Sequence, residues 1–229
     1  MSPARQPRPS STSLRIGVSG HRVPPKLPEE SEAPLRARID RILPAIAAAA
    51  RKANAAATLV IVSSLAEGSD RIVAEAGLAA GFALQVVLPF ARAEYAHDFE
   101  TPTSRGEFEQ LLANACDVFE LDGDADERPR AYEAAGLFML ANIDVLIAIW
   151  DGEVAAGIGG TAQIVERAIA DGIVVVWIEP NHLDAMQISR PGAAEAPDGT
   201  KAALKNTFRP AGVATIARAV EEIFTSPKQ

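Results

Sequence analysis

Three short stretches carry residue types and spacings suited to holding an anion. The first is Ser19-Gly20-His21-Arg22. Gly20 permits a tight turn or a close backbone approach, and Arg22 offers a guanidinium fork to a phosphate or carboxylate. The second is Ser63-Ser64-Leu65-Ala66-Glu67-Gly68-Ser69-Asp70-Arg71. Ser69 reads as a helix N-cap and Asp70 suits the positive end of that helix. Capping does not explain why Ser63, Ser64, Glu67 and Gly68 crowd the same turn. The third runs Trp150-Asp151-Gly152 and then Gly157-Ile158-Gly159-Gly160-Thr161 ahead of a helix. Glycines at a helix N-terminus let unpaired N–H groups approach an anion, and the Thr161 hydroxyl adds a further hydrogen bond.

Other chemistries lack their residues. No G-x-x-x-x-G-K-[ST] loop is present, and Gly17-Val18-Ser19-Gly20 falls one residue short of a G-x-S-x-G elbow. His21, His97 and His182 are scattered without metal spacing, and Cys116 is the one cysteine, so no metal is expected. Gly157 to Ala162 fits the loose G-x-G-x-x-[GA] form, but Asp151–Ala156 parts it from its strand. A nicotinamide cofactor is therefore a weak reading, and no cofactor is firmly implied beyond a nucleotide-type ligand.

Those stretches need strand ends to hold them. Short apolar runs rich in Val and Ile recur at Leu14–Ser19, Thr58–Ser64, Phe82–Pro89, Asp117–Leu121, Asp144–Trp150 and Ile173–Ile178. Their lack of period-2 alternation predicts strands covered on both faces. Helical periodicity predicts helices over Glu32–Lys52, Ser69–Ala80, Arg105–Ala115, Arg130–Ile143, Thr161–Ala170 and Val213–Phe224. Alternation of this kind predicts an α/β, Rossmann-like parallel sheet of about six strands with helices on both faces. In such a sheet ligands sit beyond the carboxyl ends of the strands, where all three stretches fall. Residues 1–13 read as a disordered tail and 14–229 as a single domain. Within it, Val23–Ala33 reads as an extended loop and 181–210 as a long irregular one.

The 229 residues are 48% hydrophobic and 23% charged, enough to bury a core. The formal net charge of −8 and 5% aromatic content suit neither a basic groove nor stacking platforms, so no general nucleic-acid binding is expected. The longest strongly apolar run, Ile173 to Ile178, is far short of the ~20 residues of a membrane helix, so no membrane partner is expected either. A cytoplasmic location is the matching expectation.

The stretch from Ile61 to Asp70 resembles the S-G-L-A-x-G-x-D segment of DNA processing protein A, with Ser64 in place of the first glycine. Asp144–Trp150 followed by Gly159-Gly160-Thr161 resembles the strand and G-G-x-G-T loop of the LOG (Lonely Guy) phosphoribohydrolases. Together they resemble the SLOG superfamily, over roughly Leu14 to Pro180. The resemblance implies a Rossmannoid fold whose glycine loop holds the phosphate of a nucleotide, and homodimers are common in it.

The LOG loop continues to a catalytic Glu, which works with the Arg of an Arg–Lys pair on the preceding helix. The Glu position falls here on Ile164, and the Arg–Lys pair on Ala135 and Gly136. An acid/base pair cannot be built from such side chains. The leading expectation is therefore binding, with the chain acting as a sensor of a nucleotide-derived ligand. Gly157, Gly159, Gly160 and Thr161 would hold a phosphate and Arg22 a second one. The turn from Ser63 to Arg71 would line the sugar or base, and Trp150 and Tyr132 are candidates for an aromatic wall. The alternative is a nucleotide hydrolase or phosphoribohydrolase with Glu67, Asp70 or Asp151 as replacement acid. A third is a partner-binding subunit with an empty pocket.

Overall fold

The computed structural model describes residues 12–22, 29–153, 158–183, 185–191 and 201–225. The chain runs β1 (Ser13–Gly20), α1 (Glu32–Ala53), β2 (Thr58–Ser63), α2 (Ser69–Ala79), β3 (Ala83–Leu88), a single turn α3 (Arg92–Tyr95), α4 (Pro102–Ala113) and β4 (Ala115–Glu120). It continues through α5 (Arg128–Ala141), β5 (Val145–Ile149), α6 (Thr161–Ala170), β6 (Val174–Ile178), β7 (Met186–Ser189), α7 (Lys201–Asn206), β8 (Arg209–Ala211) and α8 (Val213–Thr225).

These strands form one sheet in the order β4-β3-β2-β1-β5-β6-β7-β8. From β4 to β6 every pairing is parallel, whereas β7 and β8 add antiparallel edge strands. The fold is thus the expected Rossmann-like α/β sheet, with eight strands rather than about six. The extra two lie in or beside the segment 181–210, which is not irregular throughout: β7 and α7 fall within it. Pro210 sits in β8, where the sheet ends and its missing N–H costs no ladder bond. Of the expected 1–13 tail, residues 1–11 lie outside the described residues, and Ser13 already belongs to β1. Most of the loop expected over Val23–Ala33 also lies outside them; its last residues form a 3-10 turn, Glu29–Ser31, and the start of α1.

Both faces of the sheet are covered. Along β5, Val145, Ile147 and Ile149 pack into one core with residues of α1, α2, α4 and α8, while Leu146 and Ala148 pack into the other with α5 and α6. That explains the unbroken apolar runs in the sequence. On α1, Leu35, Ile39, Ile42, Leu43, Ile46 and Ala50 form the buried stripe of an amphipathic helix.

The chain moves outward from β1 through β2 and β3 to β4. It then crosses back to place β5 on the other side of β1. The connections diverge between β1 and β5, the topological switch point where open α/β sheets form a crevice.

Candidate functional site

A cleft of about 210 Å³ opens at this switch point. The end of β1 contributes Ser19, Gly20 and Arg22, and the β2–α2 connection contributes Ser64, Ala66 and Asp70. Tyr95 closes one side, α5 supplies Tyr132, Ala135, Gly136 and Met139, and α6 supplies Thr161 and Ile164 with Gly159 ahead of it.

At the end of β1, Gly20 is required for packing. A β-carbon there would stand 2.5 Å from Ser69 Cβ. The close approach lets Ser69 donate from Oγ (2.8 Å) and from its backbone N–H (3.3 Å) to the His21 carbonyl, tying the start of α2 to β1. Ser69 is the first residue of that helix and not the N-cap that the sequence suggested. Gly68 takes the cap position with φ 86°, a left-handed conformation that a glycine adopts freely.

The turn from Ser63 to Arg71 divides between two surfaces. Ser64, Ala66 and Asp70 face the cleft. Glu67, Gly68 and Arg71 line a separate polar groove of about 460 Å³ with Thr101, Ser104 and Glu107. Glu67 accepts from the Ser104 hydroxyl and lines this groove rather than the cleft. Leu65 lies at the divide with φ 57°, the one described non-glycine residue with positive φ.

Asp70 is 6% exposed. Its carboxylate accepts from the Ser63 hydroxyl at 3.3 Å and from the backbone N–H groups of Ser64 and Ala66, with the Arg22 guanidinium nearby. Burial pushes the carboxyl up to about 7, and the attraction of Arg22 and the three hydrogen bonds offsets only part of that.

Arg22 is the cleft's accessible cation, its side chain 38% exposed. One guanidinium nitrogen reaches Asp98 Oδ2 at 3.3 Å, and the group lies 5.5 Å from the centre of the Tyr132 ring. Asp98 also accepts from the Tyr132 hydroxyl at 2.7 Å and from Arg128. Tyr95 and Asp98 were not expected from sequence. Their contribution comes from tertiary packing around Phe90, Phe99 and Phe108, which no local spacing encodes.

The residues after β5 divide as well. Trp150 is core: it is 1% exposed, its ring centroid lies 5.3 Å from that of Trp177, and its Nε1 donates to the Glu153 carbonyl. Asp151 pairs with His21, its backbone N–H donating to His21 Nε2 at 3.1 Å and its Oδ2 lying 3.2 Å from that atom. Neither residue is part of the cleft's lining. Gly157 lies outside the described residues. Gly159 has φ 82°, and a β-carbon there would stand 2.5 Å from the Pro129 carbonyl oxygen. Its N–H donates to Gln163 Oε1 at 2.7 Å, so that donor is already taken. Gly160 is the N-cap of α6 and brings no side chain to cap it, so the N–H groups of the first turn, beside Thr161, take no bond from the cap residue.

The three positions that the sequence resemblance sets against the catalytic residues of the LOG family do meet in space. Ala135, Gly136 and Ile164 lie together on the α5–α6 wall of the cleft, which they make apolar along with Met139. Among the described residues no group of His, Cys, Asp and Glu is arranged to hold a metal ion, and no helix is long and apolar enough to cross a membrane.

No protein-family model matches the chain, and no curated protein matches its sequence. Solved structures similar to it include DNA processing protein A from Streptococcus pneumoniae (17% identity, TM-score 0.46, 83% of this chain and 54% of that one). The chain thus spans about half the length of that protein. Another is DNA processing protein A from Helicobacter pylori, described for its single-stranded DNA binding mode (17% identity, TM-score 0.48, 93% of this chain and 80% of that one). A third is TM1055 (15% identity, TM-score 0.37, 74% of this chain and 88% of that one). The exclusion of nucleic-acid partners drawn from charge and aromatic content is corrected here, since a protein described for binding single-stranded DNA is among these likenesses. In fold, this chain resembles the Rossmannoid domain of DNA processing protein A.

Proposed function

We propose that the cleft binds a nucleotide or nucleotide-derived ligand through its phosphate and serves as a ligand-sensing module. One observation carries this reading. The accessible Arg22, the uncapped start of α6 with Thr161, and the buried Asp70 converge from three chain segments on the switch-point cleft. Arg22 would release Asp98 to grip a phosphate, leaving Asp98 neutralised by Arg128 and Tyr132. The first-turn N–H groups of α6 would supply the second anchor. Gly159 supports this loop by its shape, its N–H being held by Gln163. At about 210 Å³ the cleft is smaller than the ~300–1,000 Å³ of a pocket that encloses a whole ligand. Part of the ligand would project from the mouth.

A second reading, hydrolysis of such a ligand, is favoured by Asp70 alone. A buried carboxyl titrating at about 7 in a cleft suits proton transfer. Glu67 and Asp151 no longer compete for that role, because neither lines the cleft.

The deciding experiment is thermal unfolding with nucleotides, dinucleotides, cyclic dinucleotides and single-stranded oligonucleotides, followed by product analysis of each hit. A ligand at a hundred times its Kd adds ~2.7 kcal/mol, several degrees in Tm. A hit recovered intact supports the binding reading, and one recovered cleaved supports hydrolysis. No shift across the panel would refute both.

A further inference from the structure

Arg71 is buried, its side chain 5% exposed, on the far side of the β2–α2 connection from the cleft. Burying a guanidinium is costly unless its donors are placed. Arg71 Nε donates to the Leu65 carbonyl at 3.1 Å. Its Nη1 donates to the Ser104 carbonyl and hydroxyl, both at 2.9 Å, and lies 3.1 Å from Glu107. The guanidinium stacks 4.5 Å from the centre of the Phe99 ring. Nη2 is buried without a partner among the described residues. This side chain therefore braces the connection against the start of α4.

The residue it holds is the strained one. A left-handed leucine costs roughly 1–2 kcal/mol and persists only where its surroundings over-determine it. Leu65 is held from both ends, its N–H donating to Ser63 Oγ at 3.0 Å and its carbonyl accepting from Arg71. The residues on either side, Ser64 and Ala66, are those whose N–H groups bond the Asp70 carboxylate.

We propose that Arg71 is a positioning residue for the cleft: by clamping the left-handed Leu65 it keeps the Ser64 and Ala66 N–H groups on Asp70. The proposal rests on the cleft being the functional site, but not on which ligand fills it. Without the clamp, Leu65 relaxes and the carboxylate loses donors. The groups left facing it are the Ser63 hydroxyl at the end of β2, Arg22 just after β1 and Tyr95 from α3, with Asp98 behind Arg22 and Tyr132 on the same cleft. Losing donors to the charged form shifts the Asp70 midpoint upward.

The test is a pH titration of the Asp70 side-chain carbon by NMR, in wild type, Arg71→Lys and Glu107→Gln. Lysine keeps the charge but cannot hold the Leu65 and Ser104 carbonyls together. The Asp70 midpoint should rise by about 0.5–1 pH unit in Arg71→Lys and stay at the wild-type value in Glu107→Gln, which leaves the clamp intact. An unchanged midpoint in Arg71→Lys overturns the proposal. Should that variant fail to fold, wild type alone decides. The Arg71 Nε–H must exchange slowly and the Ser64 and Ala66 amides must titrate with Asp70, and fast exchange or silent amides overturn the proposal. The nucleotide panel is read separately, so a cleft without a ligand and a cleft without a clamp give different results.

Discussion

The Cδ1 atom of Ile164 occupies the space that a β-carbon on Gly136 would need. Helices α5 and α6 approach each other at this point, and the two residues belong to the apolar wall of the cleft that Arg22 and Asp70 also line. The wall is packed and not merely vacant of charge, so a side chain at Gly136 can enter only if Ile164 moves.

The fit predicts the outcome of a small double-mutant cycle. Gly136→Ala overpacks the wall and should cost roughly 1–3 kcal/mol, with weaker nucleotide binding as the helices part. Ile164→Val removes the obstructing Cδ1 and alone should cost ~0.5–1.5 kcal/mol. Combined, the two should be less destabilising than the sum, since contacting sites couple. Denaturant midpoints of the four proteins check this. Simple additivity would show that the contact is not tight.

Much of the architecture was legible because buried parallel strands and amphipathic helices are local patterns. Val145–Ile149 and Thr161–Ala170 stand where their periodicity placed them. Met186–Ser189 and Arg209–Ala211 were not legible, being only four and three residues long, with Pro210 arguing against a strand. At the site, Gly20, Arg22, Asp70 and Thr161 could be named because the carboxyl ends of strands are known ligand positions. The division of Ser63–Arg71 between two surfaces could not, because it turns on a left-handed Leu65 that no propensity favours. Trp150 shows the converse: a large aromatic at a strand end looked like a wall, and its stacking on Trp177 makes it core.

Asp70 should make stability depend on pH. Its folded pKa of about 7 lies above the ~4 of an unfolded aspartate, so the folded state binds the extra proton between those values. The contribution is fully present below pH ~4 and is lost as pH rises through about 7, amounting to a few kcal/mol at most. The groups facing it are Arg22, Tyr95, the Ser63 hydroxyl and the Ser64 and Ala66 N–H groups. Asp70→Asn keeps an acceptor for the surrounding N–H groups and cannot ionise. Its Tm should exceed that of wild type at pH 8 and converge with it, or fall below it, at pH 5. Parallel Tm profiles for the two proteins across this range would contradict the assignment.

Gly159 tests the α6 loop. Its φ of 82° and the 2.5 Å approach to the Pro129 carbonyl oxygen leave no place for a side chain, and the obstructing atom is backbone. Gly159→Ala should cost roughly 1–3 kcal/mol and move the start of α6 away from the cleft. Thermal unfolding reads the first effect and nucleotide titration the second. Gly106, where nothing lies near the position of a β-carbon, is the control, and Gly106→Ala in α4 should be neutral or stabilising.

The division of the β2–α2 connection yields the sharpest contrast in binding. Arg22 lies in the cleft and is exposed enough to be replaced without opening a core, and Asp98 keeps Arg128 and Tyr132 as partners when Arg22 is gone. Arg22→Gln should therefore leave Tm nearly unchanged while removing a charge-assisted contact of ~1.5–3 kcal/mol, about 10- to 100-fold in Kd. Glu67 faces the other groove, where it accepts from Ser104. Glu67→Gln should leave Kd within about twofold, although both residues belong to the segments that the sequence singles out. Asp151→Asn should likewise spare binding, because Asp151 answers to His21 and not to the cleft. Isothermal titration of the three variants with the best ligand from the panel decides the matter. Equal losses in Arg22→Gln and Glu67→Gln would mean that the ligand spans both surfaces, and that the connection between β2 and α2 is its floor and not a partition.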